Sequence, residues 1–251
     1  VLAERLPAKK HEDTKTDILT TGLAYHNLES EKWQYSYHLN LEQEKFRQGL
    51  EPEQTVTYLV PSSNWTRTQA NGEASEPHYW GYKLWFGVQA SSTAIGSDTD
   101  FVRFSGGLRY LNQWSENNQF IARMEGGAIF SGDFLQVPSS RRFFTGGDQT
   151  VRGFDFETLS PQDSAGELIG GQYLNVASLE YRRRWLPSWQ WALFTDSGRA
   201  YSHGDEPFHS SVGIGLRWLS PIGVVALDIA QPLARDRGDS PRLHIYMGLP
   251  L

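Results

Sequence analysis

Three charged side chains set among glycine and aromatic residues are the groups of this sequence best placed for chemistry, and the chemistry they offer is ion pairing. Arg152 lies in the run 141–161, RRFFTGGDQTVRGFDFETLSP, within a long interruption between apolar segments at 132–171. Glu180 and Asp196 lie in the two segments that follow it. In 172–183 the side chains alternate, so that Ser178, Glu180 and Arg182 share a face opposite Ala177, Leu179 and Tyr181. In 189–198 Gln190, Phe194 and Asp196 stand opposite Trp189, Trp191 and Leu193. An arginine carried into a partly dry interior needs acidic partners, because an unpaired buried charge is costly. Glu180 and Asp196 are therefore the expected clamp for Arg152.

Other chemistries fit less well. A hydrolase would need a serine aligned with a base, yet His203, His209 and Ser210 sit in or beside a loop with no nucleophile elbow. His203 and His209 with Asp205 match no strong metal-ligand spacing and read as a solvated loop. Gly146-Gly147-Asp148 lacks the Lys and Ser/Thr of a phosphate loop. Asp98, Asp100 and Glu53 read as solvated loop charges. With no Cys there is no disulfide framework and no thiolate nucleophile. A net charge of −6 argues against nucleic acid as a partner. The expectation is a protein that is not an enzyme and holds neither metal nor cofactor.

The elements that must position these groups are strands. Val212, Ile214, Leu216 and Trp218 alternate with Ser211, Gly213, Gly215 and Arg217. Leu243, Ile245, Met247 and Leu249 alternate with Arg242, His244, Tyr246 and Gly248. The same period of two recurs at 17–26, 34–42, 54–68, 79–90, 101–111, 119–130, 172–183, 189–201 and 222–233, and is the signature of strands with unlike faces. Eleven strands are clear, and 1–6 would be the end of a twelfth. No amphipathic helix and no apolar run of membrane-helix length is present.

Three features point to a transmembrane antiparallel β-barrel, a fold whose alternation hides it from mean hydropathy. Many strands exceed the usual five or six residues. Trp33, Trp80, Trp185, Trp189, Trp191 and Trp218 sit near strand ends, as interfacial girdles require. Short turns at 28–32, 114–118, 184–188 and 220–223 alternate with longer loops at 46–53, 91–100, 202–207 and 234–240. With the last strand ending on the periplasmic side, long connections fall outside and short ones inside, except at 71–78. The insertion 132–171 is then external in origin, and its glycine-aromatic composition makes the barrel interior its most economical place.

These residues resemble a known family. Val151-Arg152-Gly153-Phe154 resembles the VRGF/Y motif in the sixth extracellular loop of the Omp85 superfamily. Phe194-Thr195-Asp196-Ser197-Gly198 resembles its F-x-D-x-G strand motif. With Ser220-Pro221-Ile222-Gly223 and an end at Leu251, the stretch 143–154 looks most like the TamA branch. The resemblance implies a sixteen-stranded barrel preceded by periplasmic POTRA domains, of which 1–251 is similar to the last eleven or twelve strands without POTRA domains. The chain opens at Val1 without an initiator Met, as expected of a processed or excised product. The likeness further implies the Gram-negative outer membrane, and insertion of autotransporters and other β-barrel clients at a lateral seam made by the last strand, Leu243, Ile245, Met247 and Leu249. It implies outer-membrane lipid and an inner-membrane-anchored TamB as partners. The alternative is a two-partner or patatin-type secretion transporter of the same superfamily. A plain diffusion porin fits less well, because a filled interior conducts poorly.

Overall fold

The computed structural model describes residues 4–6, 16–28, 33–47, 52–72, 78–204, 206–220, 223–233 and 240–248. Among these, twelve strands follow one another in a single sheet: β1 (Glu4–Leu6), β2 (Thr16–Asn27), β3 (Gln34–Phe46), β4 (Gln54–Ala70), β5 (Trp80–Ser91), β6 (Phe101–Ser115), β7 (Asn118–Phe130), β8 (Tyr173–Leu186), β9 (Trp189–Tyr201), β10 (His209–Ser220), β11 (Gly223–Pro232) and β12 (Arg242–Gly248). Every strand pairs antiparallel with its sequence neighbour, in the order β1 to β12. This is the all-β, barrel-type meander that the alternation predicts, and β1 is the twelfth strand of which 1–6 was expected to be the end.

One face of the sheet carries large apolar side chains left uncovered: Leu179, Leu193, Ile214, Ile229 and Ile245 are all exposed. On a water-soluble sheet such a continuous apolar face would be an association surface, whereas hydrocarbon covers it at no cost. Aromatic rings gather where the short turns lie. Trp189 stacks with Trp218 at 6.3 Å and Trp114 with Tyr181 at 5.8 Å, and Trp191 meets Tyr181 edge-on. Amphipathic rings of this kind settle at the membrane–water boundary.

The other face is concave and filled. Residues 131–172 leave β7, run across the sheet interior and rejoin it at β8, with only short single-turn helices at Phe134–Gln136 and Ser139–Arg141. Their aromatic and aliphatic side chains supply the core that the polar strand faces cannot. Val137 and Phe143 of the insertion pack with Phe46, Val56, Tyr58, Val60, Phe101, Ile129 and Ala200. Val151, Phe154 and Leu159 form a second cluster within the insertion itself.

Loop charges also hold structure. Asp98 accepts from the Thr57 amide at 2.7 Å where the β4 backbone extends beyond its pairing with β5, and Asp100 accepts from the amide and hydroxyl of Thr93. These two carboxylates, read from sequence as merely solvated, satisfy backbone donors as capping side chains do. Glu53 pairs with Lys45 at the exposed end of β3.

Candidate functional site

The inward rows of β8, β9, β10 and β11 converge on one guanidinium. Arg152 projects from the insertion with 3% of its side chain exposed. Its Nε donates to Asp196 Oδ2 at 2.7 Å and its Nη2 to Asp196 Oδ1 at 2.9 Å, a two-pronged pair. Nη1 donates to Glu180 Oε2 at 2.8 Å and to Asp228 Oδ2 at 2.9 Å. The Arg152 amide itself donates to Asp196 Oδ2 at 3.1 Å, and the guanidinium lies 3.4 Å above the centre of the Phe194 ring. Thus Arg152, Glu180, Asp196 and Phe194 come together, with each acid on a different strand.

Two further arginines complete the arrangement. Arg217, on β10, donates to Glu180 Oε1 and to both oxygens of Asp228, and Arg182, on β8, donates to Glu180. Ser178 closes onto Asp196 at 2.6 Å and the Tyr246 hydroxyl onto Asp228 at 3.2 Å. Three guanidinium groups and three carboxylates therefore share one buried cluster and sum to zero charge. Burial opposes the charge on Arg152, but its hydrogen bonds to Asp196 and the charges of Asp196 and Glu180 outweigh it and hold the guanidinium above the ordinary arginine range. A planar fork suits this role because each donor pair meets a carboxylate in a fixed direction.

The neighbours of Arg152 explain the motif spelling. Gly153 adopts φ +94°, and a side chain there would come within 3.3–3.4 Å of Ser211, Ala230 and Pro232. Only glycine takes that backbone without strain. Gly198, two residues beyond Asp196, leaves the space that the Val151 side chain fills; a Cβ would meet Val151 Cγ2 at 2.9 Å. Phe154 is buried and meets His209 edge-on at 5.6 Å.

The insertion is also fastened to the last strand and to the far side of the sheet. The Gly153 amide donates to His244 Nε2 of β12 at 2.8 Å, and Arg242 of β12 pairs with Asp155. At the other end, buried Glu44 of β3 accepts from Ser139 Oγ (3.1 Å), the Ser140 amide (3.1 Å), Ser140 Oγ (2.6 Å) and Tyr58 Oη (3.0 Å), while Glu42 pairs with Arg141. Arg142 gives its guanidinium to the carbonyls of Val137, Ile169 and Leu135 at 2.9, 3.0 and 2.7 Å. Burial pulls Arg142 down to about 10, which still leaves it charged at neutral pH and able to tie the 135–137 stretch to Ile169.

Asp228, Arg217, Tyr246, His244, Glu42, Glu44 and Arg142 were not singled out from the sequence. Their strand parity was readable, since Arg217, His244 and Tyr246 fall on polar faces, but their partners lie far along the chain. The last-strand residues Leu243, Ile245 and Met247 point outward, each more than 60% exposed, and Leu249 lies outside the described residues. β12 pairs with β11 and, among the described residues, with no second strand. The alternative chemistry is not assembled: His203 is exposed in a turn where its amide and that of Ser202 bind Glu206, His209 packs on Phe154, and Ser210 bonds Ser197. Asp205 lies outside the described residues.

Comparisons with known proteins agree with this geometry. A profile of the Omp85 superfamily domain matches residues 9–250. The outer membrane protein assembly factor BamA of Nitratidesulfovibrio vulgaris is 32% identical over 165 residues, which are 61% of this chain and 21% of the relative. BamA of Neorickettsia risticii is 29% identical over 179 residues, 65% of this chain and 23% of the relative. The crystal structure of BamA from Haemophilus ducreyi lacking POTRA domains 1–3 superposes with a TM-score of 0.78 at 16% identity, covering 94% of this chain and 54% of that one. The matched region thus spans under a quarter of the curated relatives' length, and these relatives carry the BamA name, where the sequence motifs had looked most like TamA. With its strand order, apolar outer face and clamped insertion, the chain belongs to the Omp85 superfamily of outer-membrane β-barrel proteins.

Proposed function

We propose that this chain is the membrane-embedded part of an outer-membrane protein assembly factor, promoting the folding and insertion of client β-barrel proteins. The observation that carries the reading is the direct fastening of the insertion to the sheet's last strand. Arg152 anchors the insertion to β8, β9 and β11, and the neighbouring Gly153 and Asp155 hold His244 and Arg242 of β12. The terminal strand is thereby held from its polar face, while its outer edge, paired with no strand among the described residues, offers backbone donors and acceptors to an incoming strand. Strand addition needs no covalent step, because each client hydrogen bond satisfies a group that the edge leaves open and burial in the bilayer drives insertion. The names of the BamA relatives support the same reading. The Arg152 clamp, with its partners Glu180 and Asp196, is the element whose loss should disable the process.

The narrower likeness to TamA would favour autotransporters among the clients and add TamB as partner; it rests on the stretch 143–154, while the BamA relatives favour a broader client range. The test is to reconstitute the full chain in liposomes and follow a urea-unfolded client barrel by heat-modifiable mobility. Faster client folding with the wild type, lost with Arg152→Ala, is the expected result. Equal client folding with and without the chain, or release of a passenger across the vesicle without insertion, would overturn it in favour of no activity or of secretion.

A further inference from the structure

Beside the neutral cluster, the same interior holds cations that its three carboxylates do not serve. Lys83 of β5, Arg109 of β6 and Arg123 of β7 stand in one row across adjacent strands: Lys83 is the register partner of Arg109, and Arg109 of Arg123. Like charges directly opposite one another in a sheet repel and weaken it. All three line a cavity of about 380 Å³ that is also bounded by Arg152, Arg182, Arg217, Glu180 and the loop residue Asp148, so that cations outnumber acids on its wall. Among the described residues, Lys83 and Arg109 make no hydrogen bond or ion pair. Arg123 gives Nη2 to the Thr150 carbonyl at 2.8 Å, and its buried Nε stands 3.9 Å from Glu125, too far for a hydrogen bond. Glu180, Asp196 and Asp228 are already engaged by Arg152, Arg182 and Arg217. Three cations thus face two remaining acids, Glu125 and Asp148, and free donors turn toward an open volume.

We propose that this cavity binds a phosphate group, with Lys83, Arg109 and Arg123 as its ligands. A tetrahedral phosphate accepts donors arriving from several strands at once and supplies close to two negative charges, where a carboxylate supplies one. The cavity is larger than the bare ion, which leaves space for an ester substituent. Arg109 and Arg123 lie near the middle of β6 and β7, and the cavity extends past them to Val224 and Gly248, toward the end bearing the short turns. The site does not rest on the strand-addition reading, and its three ligands are separate from the Arg152 cluster, which forms one wall of the cavity. The chemistry suits a free phosphate or monoester as well as the phosphate of a lipid headgroup, and the experiment separates the two.

The full chain, folded in a maltoside detergent, is titrated calorimetrically with inorganic phosphate and, in parallel, with dihexanoyl phosphatidic acid. Saturable binding of either is expected; inorganic phosphate alone identifies a soluble source, and the lipid alone a headgroup. Lys83→Gln and Arg109→Gln should each weaken binding about tenfold or more, the worth of a charge-assisted hydrogen bond. Lys45→Gln, at the opposite end of the sheet, should leave it unchanged. Lys83 makes no contact on which folding depends, so its variant decides the matter if Arg109→Gln loses its heat-modifiable mobility. Failure of both probes to saturate, or wild-type affinity in Lys83→Gln, overturns the site.

Discussion

Arg152 and Asp196 meet through two parallel N–H···O bonds of 2.7 and 2.9 Å, and the Arg152 amide adds a third to the same carboxylate. Both side chains are buried, so the pair fixes the backbone of the insertion and its guanidinium in one stroke. Removing the cation leaves three buried acids against two arginines. Arg152→Ala should therefore destabilise the folded chain by about 3–5 kcal/mol. Arg152→Lys, which keeps the charge and loses the fork, should fall between the two. The urea midpoint of the heat-modifiable band measures both, and a wild-type midpoint for Arg152→Ala would refute the clamp.

Charge reversal offers a sharper test of the geometry. If Arg152 and Asp196 formed an isolated pair, exchanging them would restore part of the loss. Glu180 and Asp228 also touch Arg152, at 2.8 and 2.9 Å, so an aspartate at 152 faces two acids. The double variant Arg152→Asp/Asp196→Arg should consequently be no more stable than Arg152→Asp alone. Substantial recovery would mean that Glu180 and Asp228 are not neighbours of the clamp.

The opposite end of the insertion makes an independent prediction. Glu44 accepts four hydrogen bonds and is fully buried. Glu44→Leu should release Ser139 and Ser140 and cost about 1–3 kcal/mol. Limited trypsin digestion should then cut after Arg141 or Arg142. Because Glu44 and Arg152 share no partner, the two losses should add within about 0.5 kcal/mol, and strong coupling would contradict separate anchors.

Gly153 tests the backbone itself. Its φ of +94° and the contacts within 3.4 Å of its Cβ position leave no relaxed place for a side chain. Gly153→Ala should cost about 1–3 kcal/mol with every charge of the cluster in place. A neutral result by urea unfolding would show that the turn relaxes freely.

His244 carries the contact between the insertion and the last strand. Its Nε2 accepts the Gly153 amide at 2.8 Å, which requires the ring proton on Nδ1. His244→Gln, which retains an acceptor, should preserve slow hydrogen exchange at the Gly153 amide, and His244→Leu should accelerate it. Equal exchange in the two variants would remove His244 as the latch.

Periodicity alone determined the strand class, the inward and outward faces and the interior placement of Glu180 and Asp196, because side-chain direction alternates locally and needs no knowledge of distant chain. Arg152 was likewise legible, since a guanidinium flanked by Gly153 and Phe154 and carried into a dry interior demands an acid. Depth and neighbourhood were not. Asp228 shares the parity of Ala226 and Ala230, yet only the register that puts it beside Gly215 and His244, together with the curl of the sheet, brings it to Arg152 from 76 residues away. Glu44 reaches Ser140 across 96 residues for the same reason. Alternation says which way a side chain points; the curvature of twelve paired strands, and the path of the insertion across them, decide what it meets.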